Sequence, residues 1–173
     1  MRSKSFVFKV IVIIFVLIVI SFFAFLPPYV DNQKNPVHES SLPVISEQAK
    51  LLHSQLIIGD WHSDSFLWKR DLMDEHDYGH MDIPRLQQGN VALQMFTTVT
   101  KSPVGQNYQA NSSDAGDNIT NLAVVSLWPT KTWDSLTERA LYQASKAQHL
   151  ANSHPDDVMM ITSKAELLQF MQQ

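Results

Sequence analysis

The chain has 173 residues, of which 45% are hydrophobic, and it contains no cysteine. These values exclude a disulfide framework, a thiolate nucleophile and a Cys-ligated zinc site, and they argue against a disordered chain. The net charge is −4, and it becomes −7 without residues 1–34, which hold four of the 13 basic residues but one of the 17 acidic ones. A surface this acidic argues against nucleic acid and against an anionic membrane face as partners.

The N-terminal segment predicts a membrane anchor. Residues 1–9 carry three positive charges, and residues 10–26 are apolar apart from Ser21, which is near the lower limit of about 17 residues for crossing a bilayer. No small-residue cleavage site follows, so we expect an uncleaved signal-anchor helix with residues 1–9 in the cytoplasm, and a cleaved secretory signal is the second reading. The globular part then lies outside the cytoplasm, in the periplasm or the extracellular space. Residues 27–42 are expected to form a linker.

The remaining residues, 43–173, alternate between helical and strand patterns. Apolar side chains recur at helical spacing in four segments, which are 43–53, 82–89, 132–153 and 163–170. Short apolar runs predict three buried strands, which are 56–58, 91–99 and 158–161. The polar stretch 101–130 is expected to be an excursion between elements. The alternation predicts an α/β fold with a parallel sheet, as a small open unit or as the first part of a larger barrel.

The residues that carry metal chemistry follow the first predicted strand. His62 and Asp64 are two residues apart, so their side chains share one face of a strand and can ligate one metal together. The alternative is a polar strand exit with a solvated Asp and an incidental His. A second His-x-Asp lies in the acidic segment 74–82, which we expect to be a solvated loop with Asp82 as a helix cap. Since no phosphate loop, nucleophile elbow or His-Glu-x-x-His helix occurs, metal-assisted hydrolysis is the remaining enzyme class.

The segment Leu56–Asp64 resembles the opening strand of the membrane dipeptidase (renal dipeptidase) family of zinc metallopeptidases. Two further blocks, 82–96 and 136–166, agree with the family in order and spacing. The resemblance implies a (β/α)8 barrel with two zinc ions that hydrolyses the peptide bond of dipeptides through a metal-bound hydroxide. It also implies that His62 and Asp64 are ligands of the first Zn²⁺, and that residues 43–173 are the first three β/α units of the barrel.

Family members carry a bridging Glu and two further His ligands on later strands, which follow the point where this chain ends. The resemblance therefore implies an N-terminal piece of a dipeptidase, expected to bind zinc weakly and to be inactive alone. It assigns no catalytic residue beyond the two metal ligands and no substrate-binding residue, and because family members often pair, a homodimer is among the expected assemblies. Two other functions stay open, which are a non-catalytic membrane-tethered interaction module and another amidohydrolase-like metal hydrolase.

Overall fold

A computed structural model of the chain describes residues 4–38 and 43–171. These residues form a mixed helix and strand fold. The helices are α1 (Lys4–Lys34), α2 (Glu47–His53), α3 (Ile83–Gln88), α4 (Asn118–Val125), α5 (Leu136–Ser153) and α6 (Lys164–Phe170). The strands are β1 (Ile58–Ser63) and β2 (Val91–Phe96), and single turns of 3-10 helix occur at Ser65–Leu67 and Thr130–Thr132.

The two strands form a parallel sheet, which confirms the predicted strand direction. Ile58 lies opposite Val91 at one end and Ser63 lies opposite Phe96 at the other, with irregular register between them. The crossover between the strands contains α3, which begins after its predicted cap Asp82 and ends before Gly89. The carboxyl ends of β1 and β2 therefore meet at one edge of the sheet, where α/β proteins build their sites.

The prediction of a third strand at 158–161 is wrong, because this segment forms no strand. Val158 packs against the buried side chains around Phe66, while residues 159–162 line a cavity of about 730 Å³ that β2 also lines. Within the described residues, this segment is joined to no strand by a ladder of backbone hydrogen bonds. The described residues thus contain a two-stranded sheet, and the three β/α units of a barrel are not shown.

The first helix continues beyond the point where the sequence predicts its end at Leu26. Pro27 and Pro28 lie inside α1, although each proline removes a backbone donor from the helix. Asp31 is only 1% exposed, and its Oδ2 lies 3.1 Å from Nε of Arg70, an ion pair without hydrogen-bond alignment. The predicted linker is therefore helical and docked over residues 27–34, and its residues 39–42 lie outside the described ranges.

Within the described ranges, α1 is the helix that is long and apolar enough to cross a membrane. Its apolar side chains from Val10 to Ile20 are exposed, so they have no protein core to pack into. A signal sequence near the N-terminus has the same properties. The helix has the length and composition of a membrane anchor or a signal sequence.

Two buried clusters hold α5 against the chain that follows β1. Phe66 belongs to the first cluster and Leu67 to the second, so the 3-10 turn directly after β1 joins both. Burial of each large apolar side chain contributes about 1.5–3 kcal/mol. This packing fixes the carboxyl end of β1. The other members are Leu72, Met81, Ile83 and Leu150 in the first cluster, and Ile119, Ala123 and Trp128 in the second.

The buried face of α5 is more polar than its apolar spacing predicts. Leu136 and Leu141 are 47% and 57% exposed, whereas Arg139 and Gln143 are 1% and 0% exposed. The polar excursion predicted at 101–130 contains α4, which Asp117 caps by accepting a hydrogen bond from the backbone of Ile119. The sequence gives α5 its length, but its orientation follows from these polar contacts.

Arg139 joins α5 to the polar stretch before it. Its guanidinium donates to the backbone oxygens of Thr132, Thr100 and Trp133, and to the side chains of Asp117 and Thr120. All five donors of the side chain are thereby used, as a buried guanidinium requires.

Candidate metal site

The structure brings His62 and Asp64 together at the carboxyl end of β1. Nε2 of His62 lies 3.3 Å from Oδ2 of Asp64, and the two side chains are 71% and 39% exposed. Both are open to solvent, which separates them from the buried polar groups of the fold. The two side chains are adjacent, but Asp64 lies after β1 at the start of the 3-10 turn, so they do not share a face of the strand.

The distance between the two donor atoms fits a shared zinc ion. Zinc bonds to imidazole and carboxylate are about 2.0–2.2 Å long, and at the tetrahedral angle two such bonds place the donor atoms about 3.3–3.5 Å apart. The observed separation of Nε2 of His62 and Oδ2 of Asp64 is 3.3 Å. A long hydrogen bond between the two side chains has the same separation, so the geometry fits both descriptions.

The second carboxylate oxygen of Asp64 is held from the neighbouring strand. Oγ1 of Thr97, the residue that follows β2, donates to Oδ1 of Asp64. The backbone of Thr97 also donates to the oxygen of Ser63 at 2.9 Å, which ties the ends of the two strands together. Thr97 therefore orients the carboxylate and leaves Oδ2 directed to the side of His62, as outer groups commonly orient metal ligands.

The backbone beneath the site is fixed by a buried turn. The hydroxyl groups of Ser63 and Ser65 lie 2.9 Å apart, and both residues are buried. The oxygen of Asp64 accepts from the backbone of Leu67 at 2.9 Å, which starts the 3-10 turn. Because Leu67 belongs to the second buried cluster, the position of Asp64 is linked to the core.

Among residues 4–38 and 43–171, the pair has no third metal-binding side chain beside it. Oδ1 of Asp60 accepts from the backbone nitrogen of His62 at 3.3 Å, so Asp60 supports the backbone. Across the described ranges, no group of three or more His, Cys, Asp and Glu side chains converges. The described residues supply two donors, whereas zinc sites in proteins usually have three or four.

The acidic segment 74–82 serves the fold. Asp82 is fully buried and accepts hydrogen bonds from the backbone of His76 and of Arg85, which confirms its predicted role as a helix cap. Burial raises the pKa of Asp82, but hydrogen bonds from Arg85 and His76 outweigh it and hold the pKa below its ordinary value. Nε2 of His76 lies 3.0 Å from the oxygen of Asp71. These contacts account for Asp82 and His76 by hydrogen bonds within the protein.

Sequence reasoning missed Thr97, although a signal for it existed. A hydroxyl residue directly after the second parallel strand lies at the same sheet edge as the residue after the first.

No family model, curated protein or solved structure matches this chain. The chemistry of the pair formed by His62 and Asp64 therefore rests on its own geometry.

Proposed function

We propose that this chain is a membrane-anchored, extracytoplasmic zinc-dependent dipeptidase, or the part of one that carries two ligands of the first zinc. The observation that carries the proposal is the 3.3 Å separation of His62 Nε2 and Asp64 Oδ2 at the carboxyl end of a parallel strand. The resemblance of residues 56–64, 82–96 and 136–166 to the membrane dipeptidase family supplies the substrate class.

Each residue of the site has a defined task under this proposal. His62 offers the lone pair of a neutral imidazole at Nε2, and Asp64 offers Oδ2. Thr97 holds Oδ1 of Asp64 so that the carboxylate keeps one orientation. Zinc, when bound, supplies a Lewis acid that activates water and polarises the scissile carbonyl. The exposure of His62 leaves room for a dipeptide beside the pair.

Two donors occupy two of the four positions around a tetrahedral zinc. The remaining positions are taken by water, substrate or further protein donors. We therefore expect the described pair to bind zinc weakly by itself, and a site completed by further ligands to bind it tightly.

The anchor is proposed to place this site outside the cytoplasm. Arg2, Lys4 and Lys9 precede the apolar run of α1, and positive charges favour the cytoplasmic side of a membrane. The contact between Asp31 and Arg70 joins the far end of α1 to the globular part. The domain is thus held beside the outer surface of the membrane by a docked helix.

A membrane-tethered interaction module is the second candidate function. The cavity beside β2 favours it, because its lining includes the exposed side chains of Trp61, Met95 and Met159. Exposed apolar surface of this kind is typical of protein contacts.

The experiment uses the full chain in detergent micelles. Zinc affinity is measured by competition with a chromophoric chelator, and hydrolysis of Ala-Ala and Leu-Leu is measured by release of free amino acid. His62→Ala and Asp64→Ala are compared with His53→Ala, which removes an exposed His at the end of α2. Each site variant is expected to weaken zinc binding at least tenfold and to abolish any hydrolysis, and His53→Ala is expected to change neither.

The outcomes separate the candidates. Zinc binding that is equal in wild type and in both site variants contradicts the metal site. Zinc binding at the pair without hydrolysis of either dipeptide supports the metal site and contradicts dipeptidase activity of this chain. A wild-type chain that binds no zinc favours the interaction module.

A further inference from the structure

A second cavity lies apart from the zinc pair. It has a volume of about 560 Å³ and is lined by residues 66, 68–72, 126–128 and the inner face of α5. Neither His62 nor Asp64 lines it. Its volume falls within the range of about 300–1,000 Å³ that small-molecule sites occupy.

The amine of Lys146 is the central polar group of this cavity. Nζ donates to the backbone oxygens of Phe66 at 2.8 Å and of Trp68 at 3.0 Å. It also lies 5.2 Å from the ring centre of Trp128 and 5.0 Å from that of Tyr142. An ammonium has three donors, so one remains for a further acceptor.

The charge of Lys146 has no carboxylate partner within the described part of the chain. Of the other charged groups that line the cavity, Arg70 is paired with Asp31, while Lys69 and Asp71 are exposed and opposite in sign. Burial lowers the pKa of the Lys146 amine to about 8, so the amine is mainly protonated at neutral pH. A partly buried cation without a carboxylate partner favours an anion as its local partner.

Two further buried polar atoms in the lining lack a partner. Oγ of Ser126 and Nε1 of Trp128 make no hydrogen bond to any described residue, although both residues are buried. A buried polar group without a partner destabilises the folded chain. Rotation about one torsion can turn the Ser126 hydroxyl toward the cavity that this residue lines.

We propose that this cavity binds a small organic carboxylate, with the Lys146 ammonium as its anion-binding group. The carboxylate accepts one hydrogen bond from the third N–H of the Lys146 ammonium and another from the hydroxyl group of Ser126. The apolar body of the ligand packs against Phe66, Leu72 and Leu150, which are buried and line the cavity. This site is independent of the proposed zinc chemistry.

The test compares two probes of equal shape on the full chain in detergent micelles. Benzoate carries the negative charge of a carboxylate, and benzamide is its neutral counterpart. The dissociation constants of both are measured by saturation-transfer NMR. Benzoate is expected to bind at least about tenfold more tightly than benzamide, because a charge-assisted hydrogen bond replaces a neutral one. Lys146→Gln is expected to remove that preference. Lys131→Gln, at an exposed lysine paired with Glu138, is expected to keep it.

Wild type alone can overturn the proposal, even if a variant does not fold. Equal affinities of benzoate and benzamide, or no saturable binding of benzoate up to 10 mM (roughly −3 kcal/mol), overturn it. A preference for benzoate that persists in a folded Lys146→Gln chain also overturns it. His62→Ala is expected to leave benzoate binding unchanged, which separates failure of this site from failure of the zinc site.

Discussion

The inner face of α5 and the carboxyl end of β1 are both built from polar side chains, yet their surroundings are opposite. Arg139 is 1% exposed and uses every donor that it has, whereas the His62 side chain is 71% exposed and has Asp64 as its side-chain partner. A buried polar group must be satisfied within the protein, so it fixes the fold. An exposed pair with free lone pairs remains available to a ligand. The inner face of α5 therefore supports the fold, while the pair at the end of β1 is the region that a ligand can reach.

The largest effect is expected at Arg139. Arg139→Met removes the charged partner of Asp117 and the donor to the oxygens of Thr100 and Thr132, so the free energy of unfolding should fall by about 3–5 kcal/mol. Urea denaturation followed by circular dichroism measures it. Lys131→Met breaks an exposed ion pair with Glu138 and should cost less than about 1 kcal/mol. Equal losses in the two variants would contradict the support role of Arg139.

Gln143 should have the next largest effect. Its side-chain amide bonds both the nitrogen and the oxygen of Val99, at 3.1 and 3.0 Å, and so continues the contacts of β2 beyond the end of the strand. Gln143→Met keeps the volume but leaves both backbone groups unpaired, which should cost about 2–3 kcal/mol. Amide hydrogen exchange at Val99 should accelerate by the factor that corresponds to this loss of free energy. Unchanged exchange there would show that the contact is not formed in solution.

The pH dependence of stability should come from Asp117 on the same buried side. Burial raises its pKa, but hydrogen bonds from Ser102, Arg139 and Ile119 outweigh this and hold the pKa at about 2, below the ordinary 3.8. Because the pKa is lower in the folded chain, the ionised Asp117 stabilises the fold at pH values above its unfolded pKa of 3.8. This stabilisation is lost as the pH falls through about 2. We expect a loss on the order of 1 kcal/mol between pH 5 and pH 2 that Asp117→Asn lacks. Parallel pH profiles of the two chains would contradict this.

The smallest effect on stability, but a clear effect on metal binding, is expected at Thr97. Thr97→Val removes the hydroxyl that orients Asp64 and should cost about 1 kcal/mol or less. Zinc affinity should fall about tenfold, because outer-shell contacts typically carry that much. Thr98→Val, at the exposed next position, is the matched control. If Thr97→Val lowers the free energy of unfolding by more than the free energy of zinc binding, Thr97 supports the fold and not the metal site.

Local signals in the sequence predicted the helix ends and the site pair. Asp82 and Gly89 bound α3 as expected, and His62 and Asp64 are adjacent as their spacing suggested, although β1 ends at Ser63 and the 3-10 turn places Asp64. Both features depend on residues within one or two turns of each other. These features can therefore be predicted from the neighbouring residues alone.

The features that sequence reasoning missed depend on distant partners. The prolines at 27 and 28 predicted a helix end, but Arg70 binds Asp31 beyond them. The strand expected at 158–161 needed a paired neighbour, and the described residues pair it with none. The helical spacing in 132–153 did not predict the burial of Arg139, because Arg139 finds its partners between residues 100 and 133.

The central claim is that the exposed pair at the end of β1 binds zinc directly. X-ray absorption at the zinc edge of the zinc-loaded full chain tests it most closely, with His62→Ala and His53→Ala measured beside wild type. The account predicts nitrogen and oxygen neighbours at about 2.0–2.1 Å and imidazole scattering that His62→Ala removes and His53→Ala keeps. A spectrum of water ligands alone, or imidazole scattering unchanged in His62→Ala, would contradict it.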